Sequence, residues 1–284
     1  MRTSVSILSK DIRWVVALKA EARPIIKALN LYRINDNSGF PLYKDRSEMN
    51  WLAISGVGEA NAGLAVQYLN DLSDAKPWSV WVNVGIAGAS QGSYGELFLI
   101  DKIMQKSTKQ CFYPGAIIKS NLRKGELLTV DEPVSEYSNV DLVDMEAAEF
   151  TKVASRISGR DLVVIMKVVS DCPSSSLDNL NKLKVSELIS NNIPAIFQHI
   201  EKMTSMATIE KERFIIPQEY EDILIKWHFT VSQTHELRKL IKRVLVACPS
   251  VNVIEELKGL KNAREVINYL KDTMDNYEID WNKL

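Results

Sequence analysis

The first two-thirds of the chain alternate short apolar runs with amphipathic stretches, and this alternation restricts the fold more than any other feature. Strands are predicted for the apolar runs at 12–18, 42–44, 51–54, 78–84, 96–103, 115–119, 126–130 and 162–169. Helices are predicted for the stretches at 21–29, 60–72, 145–157 and 180–203, the last with a break near Pro194. Such alternation predicts an α/β layered domain with a largely parallel sheet.

The pattern changes after about residue 205, where strand-like runs give way to helical stripes. Pro217 opens one predicted helix, and the apolar residues at 237–245 and 263–274 recur at helical spacing. We therefore predict two domains, an α/β domain over 1–204 and a small helical extension over 205–284.

Composition excludes several classes of function. Lys plus Arg (35) nearly equals Asp plus Glu (36), so a general attraction to nucleic acid or to an anionic membrane is not expected. No apolar run approaches the about 20 residues of a membrane span. The first twenty residues carry scattered charges, and three widely spaced cysteines suit a reducing compartment, so the expected location is the cytoplasm. Cysteines and histidines do not occur at zinc-binding spacing.

Three acidic residues follow predicted strands directly. Glu21 follows the strand at 12–18, Glu146 follows the run at 140–143, and Asp171 ends the run at 163–170. In a layered α/β sheet, ligands bind beyond the carboxyl ends of the strands, so these acids are candidates for one site. Each acid taken alone is better explained as a helix cap or a loop cap, and only the three together indicate a site.

Two glycine turns lie near the same predicted edge. Gly56-Val-Gly58 is a poor dinucleotide loop, because Asn61 stands where the third glycine belongs. The turn Gly85-Ile86-Ala-Gly88 ends a strand, where it either lets the backbone approach a ligand or simply turns the chain.

Five segments in this part of the chain occur in a fixed order. They are Val16-Ala-Leu-Lys-Ala-Glu21-Ala, Ser55-Gly-Val-Gly58-Glu-Ala-Asn61-Ala, Asn83-Val-Gly85-Ile-Ala-Gly88, Asp144-Met145-Glu146-Ala-Ala148 and Val169-Ser170-Asp171. In order and spacing over residues 12–204 they resemble the nucleoside phosphorylase superfamily, and within it the methylthioadenosine/S-adenosylhomocysteine nucleosidase branch. The resemblance does not cover the helical extension.

The resemblance implies a three-layer α/β/α domain with a mixed central sheet, a homo-oligomer, and no metal or organic cofactor. It implies that Asp171 protonates the departing purine and that Glu21 activates the attacking water. Glu146 would bind the ribose hydroxyls and Met145 would pack against the sugar. Further substrate contacts are implied for Val134, Gly85, Ile86 and Ser170.

The choice between water and phosphate depends on an anion site. The phosphorolytic branch carries G-D-x-x-R after its first strand, whereas this chain has Ala20-Glu21-Ala-Arg23-Pro24. Ile86 also stands where a hydroxyl donor is common, and both departures favour water. The prediction is hydrolysis of a purine nucleoside, such as a 5′-modified adenosine. Two alternatives stay open: a phosphorylase that uses Arg23, and a nucleoside-binding or partner-docking protein without turnover.

Overall fold

The computed structural model describes residues 11–35, 39–115, 118–133, 140–172, 181–248 and 251–277. The chain divides into two compact units, Met1–Glu212 and Arg213–Leu284, and we propose that they correspond to the predicted domains 1–204 and 205–284. No helix within the described stretches is long and apolar enough to cross a membrane.

The first unit is built from strands and helices that largely follow the predicted alternation. Its described strands are β1 (Ile12–Val16), β2 (Tyr32–Ile34), β3 (Leu42–Lys44), β4 (Asn50–Ile54), β5 (Val80–Ala89), β6 (Leu97–Gln105), β7 (Cys111–Phe112), β8 (Arg123–Thr129), β9 (Leu142–Asp144) and β10 (Val163–Asp171). Its described helices are α1 (Lys19–Ala28), α2 (Glu59–Ser73), α3 (Ala147–Ile157) and α4 (Lys182–Glu212).

The strands form one mixed sheet in the order β10-β6-β8-β9-β5-β1-β4-β3-β2, and β7 pairs with β6. Because β5 also pairs with β10, the five strands from β10 to β5 close into a ring. β1 runs parallel to β4 and β5, and β5 runs parallel to β10. β6 is antiparallel to β10 and β5 is antiparallel to β9, which confirms the mixed central sheet.

Side chains of the central strands point alternately into two apolar cores. Trp14 of β1 lies in the core on the side of α1 and α4, whereas Val15 lies in the core on the side of α2 and α3. Ile25 of α1 joins the first core, and Phe150 of α3 joins the second. A strand that is buried on both faces is apolar along most of its length. The arrangement confirms the three-layer α/β/α architecture.

The predicted break in the last helix of this unit is wrong, because α4 continues through Pro194 to Glu212. Proline has no N–H, so the carbonyl of Ser190 lacks its usual helical partner. Ser190 and Pro194 are both exposed, and water can therefore bond to that carbonyl without a break in the helix.

The predicted strand at 115–119 is also wrong for its described residues. Gly115, Ile118 and Lys119 lie outside any strand. Gly115 has a positive φ of 30°, and its N–H donates to the carbonyl of Arg160 at 3.0 Å, so the chain turns away from the sheet there. The short strand β7 pairs with β6 just before this turn.

The second unit is helical in its described part, with α5 (Gln218–Lys226), α6 (Val231–Ala247), α7 (Val253–Glu256) and α8 (Ala263–Asp275). The predicted stripes form its core, because Leu237 and Ile241 of α6 pack with Val266 and Leu270 of α8. Thr230 caps α6 by accepting a hydrogen bond from the N–H of Gln233. The helical character predicted after residue 205 is confirmed.

Candidate active site

Parallel pairing of β1, β5 and β10 brings the carboxyl ends of these strands to one edge of the sheet. Asp171 is the last residue of β10, and Ile86 lies near the end of β5. Glu21 lies in the first turn of α1, and two residues separate this helix from the strand β1. Three segments far apart in sequence therefore meet at one place because of strand register.

A cavity of about 200 Å³ opens at this edge. Six of the residues predicted from the sequence line it, namely Glu21, Ile86, Met145, Glu146, Ser170 and Asp171. Leu18, Val57 and Pro133 complete much of the described wall. The three carboxyl groups are at least 93% buried, with relative exposures of 2% for Glu21, 7% for Glu146 and 4% for Asp171. Buried carboxyl groups that share one cavity are typical of a catalytic centre.

Glu21 is held by two backbone donors. Its Oε2 accepts from the N–H of Leu18 at 2.8 Å, and its Oε1 accepts from the N–H of Ile86 at 2.9 Å. Burial raises the pKa of Glu21 from 4.5 to about 7, against the opposing effects of the Ile86 bond and of Lys167. The helix-cap explanation of Glu21 is correct for one oxygen, while the other reaches across to β5. A carboxyl with this pKa can accept a proton at neutral pH.

Gly85 lies behind Glu21 rather than in the cavity wall. A Cβ at this position would stand 2.9 Å from Oε1 of Glu21 and 3.5 Å from Nζ of Lys167. Gly85 is also the register partner of Lys167 in the β5–β10 pair. The glycine therefore leaves the space that these two charged side chains occupy, and we assign it no direct contact with the cavity.

Lys167 is the group that sequence reasoning missed. Its Nζ lies 2.8 Å from Oδ2 of Asp144, and both side chains are almost completely buried. Burial alone would lower the pKa of Lys167, but the attraction of Asp144, Glu146 and Glu21 outweighs it and raises that pKa. The lysine is therefore a fixed positive charge behind the carboxyl groups. A single lysine within the apolar run 163–169 was the available signal, since a buried charge needs a partner.

Asp144 fixes the start of α3 as well as Lys167. Its Oδ1 accepts from the hydroxyl of Thr129 at 2.8 Å, and its Oδ2 accepts from the N–H of Ala147 at 3.0 Å. Asp144 thus caps α3 as part of a larger buried network. This network sets the direction in which the next two residues, Met145 and Glu146, enter the cavity.

Glu146 is oriented by the turn before α2. Its Oε1 accepts from the N–H of Gly58 at 3.0 Å. Gly58 has a φ of 108°, a conformation that side chains strongly disfavour, so a glycine is needed to present its N–H in this way. Burial, followed by the nearby Asp144, raises the pKa of Glu146. The Gly56-Val-Gly58 turn therefore positions a carboxylate and is not a dinucleotide loop.

Asp171 has a hydroxyl partner that can serve two protonation states. The Oγ of Ser170 lies 2.6 Å from Oδ1 of Asp171 and 3.2 Å from the carbonyl oxygen of Ala87. When Asp171 is ionised, the hydroxyl can donate to it. When Asp171 carries a proton, the hydroxyl can accept that proton's hydrogen bond and donate to Ala87 instead.

The described wall can be compared with the predicted one in all but one position. Val134 lies outside the described residues, although its neighbour Pro133 lines the cavity. No aromatic side chain belongs to the described wall. The described residues also contain no group of three or more His, Cys, Asp or Glu side chains that could hold a metal ion.

No protein-family model and no curated protein matches the chain. Solved structures do match it. The 5′-methylthioadenosine/S-adenosylhomocysteine nucleosidase of Campylobacter jejuni has a TM-score of 0.56 and 18% identity, over 68% of this chain and 100% of its own. The 5′-methylthioadenosine nucleosidase of Arabidopsis thaliana has a TM-score of 0.56 and 17% identity, over 70% and 96%. The futalosine hydrolase of Helicobacter pylori has a TM-score of 0.54 and 13% identity, over 70% and 99%.

These similarities concern the fold, because the identities are low. They confirm that the chain contains the α/β fold of these solved structures, which is the fold that the resemblance of the five sequence segments implied. Nearly the whole length of each matched protein is covered, whereas about 30% of this chain is not. That remainder leaves room for the helical extension.

Proposed function

We propose that the first unit hydrolyses the N-ribosidic bond of a purine nucleoside of the 5′-modified adenosine class. The observation that carries the proposal is the meeting of three buried carboxyl groups, Glu21, Glu146 and Asp171, in one cavity. Similar structures support the substrate class, since one such nucleosidase was solved in complex with adenine and another with methylthio-immucillin-A.

Glu21 acts as the general base in this proposal. It holds a water molecule against the sugar and takes one of its protons as the oxygen forms its bond to C1′. A pKa of about 7 keeps a large fraction of Glu21 ionised at neutral pH while leaving it basic enough to accept that proton. Glu21 then returns the proton to solvent.

Asp171 acts as the general acid. As the bond between C1′ and the purine nitrogen breaks, its electron pair passes to the purine, and Asp171 donates a proton to a ring nitrogen. Free base leaves, and the sugar carries the oxygen from water. Ser170 supports Asp171 both before and after this transfer by the two arrangements of its hydroxyl hydrogen. Positioned acid or base catalysis contributes about 10²–10⁴-fold per group.

Glu146 and Met145 hold the sugar. A carboxylate accepts two short hydrogen bonds from neighbouring ribose hydroxyls, and a thioether packs against the ring. A sugar that loses its base gains positive charge, which nearby carboxylates stabilise. Lys167 favours the ionised form of both glutamates from behind. It is a positioning residue, because it is not in the cavity wall.

Water is favoured over phosphate as the nucleophile. The side chain of Ile86 is apolar, and the N–H of Ile86 is already bonded to Glu21. An anionic nucleophile at this place would meet a partly ionised carboxyl group and no free donor from Ile86.

The proposal is tested by chromatography of a panel of purine nucleosides after incubation with the full chain, with and without phosphate. We expect release of free base without phosphate. Asp171→Asn should cut the rate by about 10²-fold or more. The matched control is Asp71→Asn on the exposed face of α2, which should keep the rate of the wild type. Strict dependence on phosphate would refute hydrolysis.

Two broader expectations belong to the same proposal. We propose that the protein acts in the cytoplasm, from its sparse, scattered cysteines, and as a homo-oligomer, from the family resemblance. Sedimentation analysis of the full chain tests the second point, and a monomer at all concentrations would contradict it.

A further inference from the structure

A second and larger cavity adjoins the catalytic one. It has a volume of about 700 Å³, and Leu18 and Ile86 line both cavities. The rest of its described wall comes from the first turns of α1 and α4. The charged and polar members of that wall are Lys19, Arg23, Asn181 and Lys182.

The described wall of this second cavity is strongly basic. It contains three cations and no carboxylate, and none of Lys19, Arg23 and Lys182 forms an ion pair within the described part of the chain. Lys19 is the first residue of α1, and Lys182 is the first residue of α4. Cations at these positions oppose the helix dipole, and so helix stability does not explain them.

Several backbone N–H groups at the two helix starts already have partners among the described residues. The N–H groups of Leu183 and Lys184 both donate to the side chain of Asn181 at 3.0 Å, and the N–H of Leu18 donates to Glu21. The charged groups of this wall are the ammonium groups of Lys19 and Lys182 and the guanidinium group of Arg23. Those groups select an anion of the carboxylate or phosphate kind.

The position of the cavity indicates which part of a substrate would enter it. In the proposed function the base lies at Asp171 and the ribose hydroxyls lie at Glu146, and neither residue lines the second cavity. Besides its base and its ribose hydroxyls, a nucleoside has a third group that a protein can bind, the 5′ substituent, called the 5′ arm below. We propose that the basic cavity binds an anionic group carried on the 5′ arm of the nucleoside substrate, so that the substrate is a 5′-anionic nucleoside.

This inference rests on the proposed function for the direction of the substrate, but it makes a separate prediction about selectivity. A free phosphate ion is the other source of the same chemistry. We favour the 5′ arm because phosphate would have to reach the sugar past the apolar side chain of Ile86 and beside Glu21.

The test compares adenosine 5′-monophosphate with uncharged 5′-methylthioadenosine as substrates of the full chain, by kcat/KM for base release without phosphate. We expect the monophosphate to be preferred. The ratio of the two kcat/KM values should fall about tenfold or more in Arg23→Gln and in Lys182→Gln. Higher ionic strength should lower the same ratio, because these cations are exposed. Lys27→Gln, on α1 but outside the cavity, is the matched control and should leave the ratio unchanged.

Equilibrium binding of both compounds, measured by calorimetry on the same proteins, separates this inference from the hydrolysis itself. Base release with no preference for the monophosphate, and a ratio that neither variant changes, would overturn the anionic subsite and leave hydrolysis intact. Turnover that requires added phosphate would assign the cavity to a co-substrate and overturn the 5′ assignment. If neither compound releases base, hydrolysis fails. Tighter binding of the monophosphate that is lost in Arg23→Gln would then still support the subsite, and equal binding would refute it.

Discussion

Replacing Glu21 by glutamine should remove the catalytic activity. It should also remove a loss of folding stability that the wild type shows as the pH rises. In the folded protein the pKa of Glu21 is raised from 4.5 to about 7, mainly by burial. Between these values the folded state holds a proton that the unfolded chain gives up. Stability is therefore fully present below about pH 4.5 and is lost as the pH rises through 7. Glutamine cannot ionise, so the variant lacks this loss.

The size of the effect follows from the two pKa values. At about 1.4 kcal/mol per pKa unit, ionising Glu21 costs the folded state about 3 kcal/mol well above pH 7. Integrated between pH 5 and pH 8, the cost is about 2.5 kcal/mol. Glutamine has one carbonyl oxygen, whereas Glu21 bonds two backbone N–H groups. One donor is therefore left unpaired, a pH-independent cost of about 1–3 kcal/mol.

The assay is urea unfolding of the full chain at several pH values, followed by tryptophan fluorescence. Trp14 and Trp81 are fully buried in the first unit and report its unfolding. The free energy of unfolding of Glu21→Gln, minus that of the wild type, should rise by about 2–3 kcal/mol from pH 5 to pH 8. The control is Glu187→Gln, which changes an exposed carboxyl on α4 and should give a flat difference. A flat or falling difference for Glu21→Gln would refute the reasoning.

Three further substitutions test the surroundings of the site and of one buried histidine. Gly85→Ala places a Cβ 2.9 Å from Oε1 of Glu21, and a displaced base should cut kcat/KM about 10²-fold while the fold persists by circular dichroism. Lys167→Met leaves buried carboxylates without their cation, which should lower the free energy of unfolding by about 3–5 kcal/mol in urea. Because Lys167 lowers the pKa of Glu21, the same variant should move the acidic limb of the pH–rate profile above 7. The pKa of His199 is lowered to about 4, mainly by burial, and neither ring nitrogen has a partner within the described residues. The neutral form is thus favoured in the folded state, so stability should fall by about 2–3 kcal/mol as the pH drops from 6.5 to 4, and His199→Leu should remove that dependence in acid unfolding.

The sequence predicted a layered α/β domain because a strand that is buried on both faces consists mostly of apolar residues. The runs around Trp14 and Ile165 are apolar except for Arg13 and Lys167, and both strands are buried on each face. The helices of the second unit were predicted from their apolar stripes, because one face of each helix packs into the core of that unit. Pro194 misled the prediction, because the penalty for an internal proline depends on whether the freed carbonyl can reach water, and spacing does not carry that information.

The site was predictable in its acids but not in the groups that control them. Glu21, Glu146 and Asp171 follow strands, and parallel register brings strand ends together. The pairing of Lys167 with Asp144 depends on which faces of β9 and β10 meet across the ring of strands. The basic cavity depends on how α1 and α4 converge. Neither relation is local in sequence, so propensity and motif could not reveal them.

The most direct test of the central claim is to follow the oxygen of the product. The full chain is incubated with adenosine 5′-monophosphate and with 5′-methylthioadenosine in ¹⁸O-labelled water without phosphate, and the products are analysed by mass spectrometry. Hydrolysis should yield free adenine and a sugar with one ¹⁸O atom at C1′. No release of base from either compound, or a sugar 1-phosphate that forms only when phosphate is added and carries no label from water, would contradict it.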